Sequence, residues 1–342
     1  MMPMAAYTTR PAGRAPWNRA LVTGGAGFLG SHLCTRLLDS GVEVDCLDNL
    51  STGRAEKVAH LAGRPGFRFL ERDITEPGAV DSRDGPYGLV LHLAGPGPCP
   101  AARPDRPLDL LDTASVGTRA ALAAADRDGA RFLLASTPLP GGPAPAEGTG
   151  GDLDPFGPHG AYAEAVRFAE ALVAAHAGGP GAEAGTVRLF TTVGPRMRTD
   201  DGGVPGTFIE RALAGGPVTV PGDGARRHSL CYVDDMVEGV LLVAAGRSVR
   251  PVDLGGDEAP TALEIARRVL ELTHCDASPA VTDRTADAPC PPRPVTGFAH
   301  EIFGWTPAVT WQDGLARTVA SLTDRTGTVP AAVGRDGEEY WT

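Results

Sequence analysis

Leu21-Val22-Thr23-Gly24-Gly25-Ala26-Gly27-Phe28-Leu29-Gly30 is the stretch on which the reading of this chain turns. The apolar run ending at Thr23 has the character of a buried strand, and the pattern from 31 to 40 that of a helix. Glycines 24, 27 and 30 join the two. Glycine takes a positive φ at little cost, and its missing side chain lets a pyrophosphate approach the backbone N–H groups at a helix N-terminus. A second strand pattern, 42–47, ends in Asp48. An acid roughly 20 residues past such a turn can accept hydrogen bonds from an adenosine ribose, and it repels a 2′-phosphate. A glycine triplet alone is weak evidence. Strand, turn, helix, strand and acid in that order predict a bound dinucleotide, NAD in preference to NADP.

Outward from this unit the chain alternates. Strands are predicted at 20–23, 43–47, 67–70, 89–93, 131–135 and 186–190, and helices at 31–40, 108–126, 162–177, 206–214, 233–245, 263–273 and 312–322. Strands separated by helices imply an α/β fold, a Rossmann-like doubly wound parallel sheet. Ligands of such sheets bind beyond the carboxyl ends of the strands, where Gly24, Asp48, Asp73, Ala94, Ser136, Thr137 and Thr191 stand. Past Thr192 the alternation weakens. The expected organisation is a disordered extension over 1–18, an NAD-binding domain over 19–191, a smaller substrate lobe over 192–326 with some exchange of chain between lobes, and a peripheral tail over 327–342. The Gly/Pro-rich stretch 138–155 reads as an irregular loop.

Bulk properties narrow the classes. The 342 residues suffice for one large α/β unit or two lobes. A net charge of −11 without a basic stripe argues against nucleic acid as partner. No apolar run approaches the roughly 20 residues of a membrane span. The first 18 residues lack the apolar core of a secretory signal. Cysteines 34, 46, 99, 231, 275 and 290 show no C-x-x-C pairing, and Cys34 and Cys46 fall in apolar patterns, as core thiols do. A reducing cytoplasm fits. Asp234 and Asp235 read as a helix N-terminus and not as a metal pair, so no metal is expected.

Several longer strings carry a resemblance. They are Cys46-Leu47-Asp48-Asn49-Leu50-Ser51-Thr52-Gly53, Arg72-Asp73-Ile74-Thr75-Glu76-Pro77, His92-Leu93-Ala94 and Arg131-Phe132-Leu133-Leu134-Ala135-Ser136-Thr137. Val193-Gly194-Pro195-Arg196-Met197-Arg198, Cys231-Tyr232-Val233-Asp234-Asp235 and Gly304-Trp305-Thr306-Pro307 extend the set. Together, over about residues 19 to 322, they resemble the extended short-chain dehydrogenase/reductases, and among these the UDP-glucuronate decarboxylases, or UDP-xylose synthases. The resemblance implies that Gly24, Gly27, Phe28, Leu29, Asp48, Asn49, Ser51, Thr52 and Gly53 hold the adenosine diphosphate half of NAD. It implies that Asp73 and Ile74 flank adenine and that Leu93 and Ala94 lie near the pyrophosphate and inner ribose. A nucleotide sugar would lie between the sheet and the C-terminal lobe, with Thr191, Arg196, His228 and Arg293 at substrate positions. A homodimer through a four-helix contact is also implied, built from the 108–126 and 162–177 patterns, whose apolar stripes include Leu111, Leu122, Phe168 and Leu172.

In that family NAD oxidises C4 of the sugar, CO₂ leaves, and the same NADH reduces the ketone. A tyrosine takes the C4 hydroxyl proton, and a lysine four residues later, on the same helix face, stabilises the phenolate. This chain keeps Tyr162 and Thr137 as catalytic candidates but carries Val166 at the lysine position. Arg167 starts about 100° around the helix. The family's Ser-Thr-Ser-Glu-Val-Tyr-Gly reads Ser136-Thr137-Pro138-Leu139-Pro140-Gly141-Gly142 here. Thr191 stands for the usual asparagine after the sixth strand, Ala114 for the asparagine of the preceding long helix, and His228 for a phosphate-binding arginine, with Arg226 and Arg227 just upstream. Tyr162 also admits the plain reading of a helix phenol, His159 that of a loop residue, and His228 that of a turn cap. Departures cluster at the nicotinamide end, beside an intact adenosine end. Three functions stay open: a nucleotide-sugar enzyme with a degenerate catalytic motif and a changed proton relay; a scaffold repurposed for a redox-neutral elimination, isomerisation or cyclisation in secondary metabolism; and a non-catalytic nucleotide-binding homologue.

Overall fold

The computed structural model describes residues 15–80, 85–95, 107–139, 156, 160–179, 183–200, 203–282 and 293–326, without the side chains of 324–326. Seven strands form one parallel sheet: β1 (Arg19–Thr23), β2 (Glu43–Asp48), β3 (Phe67–Glu71), β4 (Leu89–His92), β5 (Arg131–Ser136), β6 (Ala184–Leu189) and β10 (Val252–Leu254). Their order across the sheet is β10-β6-β5-β4-β1-β2-β3. The order reverses between β1 and β4, the switch point where such sheets bind ligands. The central strands are buried on both faces, so they read as unbroken apolar runs rather than alternating ones.

Helices cover both faces. On one lie α1 (Phe28–Asp39), α6 (Val233–Ala245) and α8 (Gly297–Phe303), sharing a core with Leu33, Leu37, Val44, Leu89, Met236 and Phe303. On the other lie α2 (Pro107–Asp112), α3 (Thr118–Asp128) and α4 (Gly160–Ala177), packed through Ala121, Leu122, Phe132, Ala165 and Val173. The smaller lobe has its own core of Phe208, Ile209, Val220, Ile265, Val269 and Leu315. It is built from α5 (Val204–Leu213), α7 (Ala262–Leu272), α9 (Trp311–Thr326) and the parallel pair β8 (Thr219–Pro221) and β11 (Ala280–Thr282). A second short pair, β7 (Thr192–Val193) with β9 (Cys231–Tyr232), bridges the lobes.

Several expectations change. The extension does not run to residue 18: Trp17 packs on the sheet beside Gly88, and Glu43 N donates to Asn18 O at 2.8 Å. Residues 1–14 and the tail 327–342 lie outside the described residues. Within 192–326, the stretches 233–254 and 297–303 lie on the dinucleotide unit as α6, β10 and α8, an exchange of chain between lobes of the kind the expected organisation allowed for. The helix expected over 108–126 is interrupted by a π turn, Thr113–Gly117. Most of the 138–155 loop, His159, Cys99 and Cys290 lie outside the described residues. No described helix is long and apolar enough to cross a membrane.

Candidate functional site

Gly24 takes φ +67°, and a Cβ there would stand 2.7 Å from Ala94 N. A Cβ on Gly30 would stand 2.3 Å from Gly24 O, so α1 begins directly against the turn. The α1 N-cap is Gly27, which has no side chain to close the first turn. Open N–H groups and the positive end of the helix dipole therefore face the switch point, where a pyrophosphate fits. Phe28 and Leu29 form that first turn.

Asp48 ends β2 with 6 % exposure. Its Oδ2 accepts Ala26 N at 3.0 Å and its Oδ1 accepts Leu50 N at 2.9 Å. Burial pushes its carboxyl above the ordinary range, against the pull of those two donors and of Lys57. Leu50 takes a left-handed φ of 56°, and Gly53 folds back so closely that a Cβ would meet Asp48 Oδ1 at 2.6 Å. Asn49 donates to Asp73 Oδ2 at 2.7 Å and its Oδ1 accepts Ser51 N at 3.0 Å, while Thr75 caps Asp73 Oδ1. Ile74 is buried under Gly117. Asp48, Asn49, Ser51, Thr52, Gly53, Asp73 and Ile74 thus share the outer, β2–β3 side of the cleft. Glycine cradle, open helix terminus and anchored carboxylate fit NAD.

His92, the last residue of β4, bolts the centre of the cleft. Its Nδ1 lies 2.7 Å from Thr23 Oγ1 and its Nε2 3.2 Å from Thr118 Oγ1, and Ala94 N donates to Thr23 Oγ1 at 3.2 Å. Complete burial lowers its pKa to about 4, so the ring is neutral. This bolt fixes Leu93 and Ala94 against the glycine turn. The sequence reading missed it; its signal is a histidine closing an otherwise apolar strand.

At the inner end Tyr162 is half-buried in the first turn of α4, and Val166, one turn on, is buried at 5 % exposure. Arg167 donates to Glu164 one turn back. Thr137, Pro138 and Leu139 follow β5 half-buried. Beside them is a set the sequence reading also missed. Glu170, four residues after Val166 and on its helix face, accepts Ser136 Oγ at 2.6 Å, Arg188 Nε at 2.9 Å and Arg188 Nη2 at 2.6 Å.

Of the four expected substrate residues, three gather at one corner. Cys231 N donates to Thr191 O, and His228 N to Pro260 O, both at 2.9 Å. A Cβ on Gly255 would touch Ser229 Oγ at 2.9 Å and Pro294 Cγ at 3.0 Å, which brings His228 and Arg293 to the same loop cluster as Thr191. Arg196 departs from expectation. At φ +69° its guanidinium turns onto α1 and the following turn, reaching Ser31 O at 3.3 Å, Lys57 O at 3.1 Å and His32 Nδ1 at 2.8 Å. Its donors latch the bridging segment to the dinucleotide unit. Arg198 does likewise on Thr52 O at 3.1 Å. Asp235 accepts Val309 N in the first turn of α6, and no group of three or more metal-ligating side chains occurs among the described residues.

Residues 20–254 match the model of the NAD dependent epimerase/dehydratase family. UDP-glucuronic acid decarboxylase 1 of Arabidopsis thaliana is 37% identical over 311 residues, 90% of this chain and 70% of that protein. A dTDP-glucose 4,6-dehydratase of Streptomyces venezuelae, solved with NAD bound, superposes with a TM-score of 0.79 at 26% identity, covering 90% of this chain and 98% of that one. A UDP-glucose 4-epimerase of Thermotoga maritima, solved with UDP-glucose, gives a TM-score of 0.75 at 26% identity, covering 90% of this chain and 99% of that one.

Proposed function

The chain belongs to the NAD dependent epimerase/dehydratase family, and on that premise we propose that it holds NAD and a nucleotide sugar in a site with a rebuilt proton relay. Ordinary decarboxylation of UDP-glucuronate is then not its reaction. The observation that carries this reading is Val166, buried one turn from Tyr162 where the related decarboxylases resembled here carry a lysine. NAD, when bound, supplies reversible hydride acceptance at a sugar carbon. The chain's own part is to anchor the adenosine half on Gly24, Gly27 and Asp48, to fix Leu93 and Ala94 through His92, and to present the hydroxyls of Thr137 and Tyr162. Valine brings neither charge nor donor, so no cation at 166 favours a phenolate at Tyr162.

A second reading follows from the same hydroxyls. Hydroxyls kept without the cation suit a redox-neutral step, an elimination, isomerisation or cyclisation, better than repeated hydride transfer. The intact cofactor cradle argues against the third reading, a non-catalytic nucleotide-binding homologue. The assembly belongs to the proposal as well: Leu108 on α2, Val116 in the π turn and Phe168 on α4 are 70%, 47% and 49% exposed, a row that a second copy of the chain would cover.

The test is turnover of UDP-glucuronate by the purified protein with NAD added, read as UDP-xylose by anion-exchange chromatography beside a plant decarboxylase. Loss of general-base assistance is worth about 10²–10⁴-fold. A deficit of at least about 100-fold is expected; equal rates would overturn the reading.

A further inference from the structure

His228 is 8 % exposed, and its Nε2 has no hydrogen-bond partner among the described residues. A buried imidazole nitrogen left unpaired is open to a partner beyond the described residues, a water or a ligand. The neighbouring segment is tightly held: Ser229 Oγ donates to Gly256 O at 2.9 Å, and His228 N and Cys231 N are bonded to Pro260 O and Thr191 O. The backbone that carries the imidazole is therefore held beside Thr191, in the loop cluster that includes Arg293.

The charges around it are mostly positive. Arg226 and Arg227 precede it on its own segment, and Arg293 stands on the segment packed against Gly255. Asp257 and Glu258, on the 255–260 loop, are exposed, and Asp257 accepts Thr296 Oγ1 at 3.1 Å. Arg226 is the charged group that acts on the ring. Such a corner suits an anion with fixed charges, such as the pyrophosphate diester of a nucleotide sugar.

We propose that His228 takes up a proton when the pyrophosphate of a nucleotide sugar binds, so that affinity for that ligand rises as pH falls. The inference rests on the nucleotide-sugar reading above. Without ligand, burial first and Arg226 second keep the ring neutral, with a pKa lowered to about 4. Two phosphate charges beside Nε2 reverse that balance, because an adjacent opposite charge favours the protonated form. A fixed cation such as arginine would bind the same anion without taking up a proton. Between the free and bound pKa values, linkage makes binding up to about tenfold tighter for each unit of pH lost.

UDP-glucose is the probe, because its diester pyrophosphate does not titrate in the working range. Calorimetry on the full chain with NAD present, at pH 6.0 to 8.5 and in two buffers of different ionisation heat, reads affinity and proton uptake together. Wild type is expected to gain about tenfold or more in affinity from pH 8 to 6, with close to one proton taken up at the acid end. His228→Gln should lose both the uptake and the slope, and His228→Arg should bind without slope. Binding of wild type without proton uptake, or an unchanged slope in His228→Gln, overturns the proposal and leaves the nucleotide-sugar reading intact. Binding by His228→Arg but not by wild type does the same. Absence of binding in all three proteins overturns both.

Discussion

Glu170 accepts the hydroxyl of Ser136 at 2.6 Å while holding Arg188 through two further bonds, so helix α4 is tied to the ends of β5 and β6 by one half-buried carboxylate. Ser136 immediately precedes Thr137, and Glu170 lies two turns beyond Tyr162 on the same helix. The relative placement of the two candidate hydroxyls thus depends on a contact that touches neither.

Replacing Glu170 with alanine should leave Arg188 partly buried without its partner. Removal of one member of a buried pair costs about 3–5 kcal/mol; the residual exposure of both side chains places the expected loss nearer about 2–3 kcal/mol. Urea denaturation at pH 7 checks this, with Glu170→Gln retaining the Ser136 bond and losing less. A change below about 0.5 kcal/mol for the alanine variant would show the contact to be idle.

Acid should destabilise the protein well above the carboxylate range. His32 and His92 both have pKa values lowered to about 4, chiefly by burial. A histidine whose folded pKa lies below its unfolded value of about 6.5 contributes stability that is complete above pH 6.5 and is lost as pH falls toward 4. A shift of this size is worth about 3 kcal/mol per histidine over the whole window. Chemical denaturation from pH 8 to 4.5 should show stability falling below pH 6.5, with a shallower fall in His92→Gln. A flat profile between pH 6.5 and 5 would contradict it.

The outer half of the site was legible in sequence because glycines and a strand-terminal acid act through backbone geometry. Gly24, Gly30 and Asp48 sit where their spacing put them. Contacts between segments distant in sequence were not legible. Arg196 was expected at the substrate, but its left-handed backbone turns the guanidinium onto Ser31, 165 positions away. The π turn at Thr113–Gly117 was also hidden, since a single extra residue inside a long helical run shifts the apolar register by one position but leaves the run helical in character on both sides. Return of 233–254 to the main sheet cannot be read from periodicity, which reports an element's buried face but not its neighbour.

Gly30→Ala should abolish NAD binding. The added Cβ would meet Gly24 O at 2.3 Å, and that oxygen belongs to backbone that cannot yield without opening the turn. Overpacking of this kind costs about 1–3 kcal/mol of stability. Wild type should bind NAD with clear preference over NADP, because Asp48 opposes a 2′-phosphate. Calorimetry with both dinucleotides reads the outcome; equal affinities, or normal NAD binding by the variant, would count against the cradle.

Light scattering should give twice the mass of one chain at micromolar concentration. Phe168→Glu, and Val116→Glu separately, place a charge in the exposed row on α4 and the π turn and should yield monomers that still bind NAD, because neither side chain is in the cofactor cleft. A wild-type monomer throughout the micromolar range would remove the four-helix contact.

Val166→Lys should not by itself restore decarboxylation. A lysine there starts one turn from Tyr162 on the same face and supplies the missing cation, but it enters a position now buried at 5 % exposure, where desolvation opposes its charge. The substrate side also stays altered. Pro138 and Leu139 follow Thr137 where the resembled decarboxylases carry serine and glutamate, and proline has no N–H to offer. Adding one cation therefore corrects the base and leaves the neighbouring polar groups absent. The expected result is a variant that folds, binds NAD, and forms UDP-xylose at least about 100-fold more slowly than a plant decarboxylase. Combining Val166→Lys with Pro138→Ser and Leu139→Glu should raise the rate above that of the single variant. Robust UDP-xylose formation by Val166→Lys alone would place this site one substitution from a decarboxylase, and the rebuilt relay would lose its support.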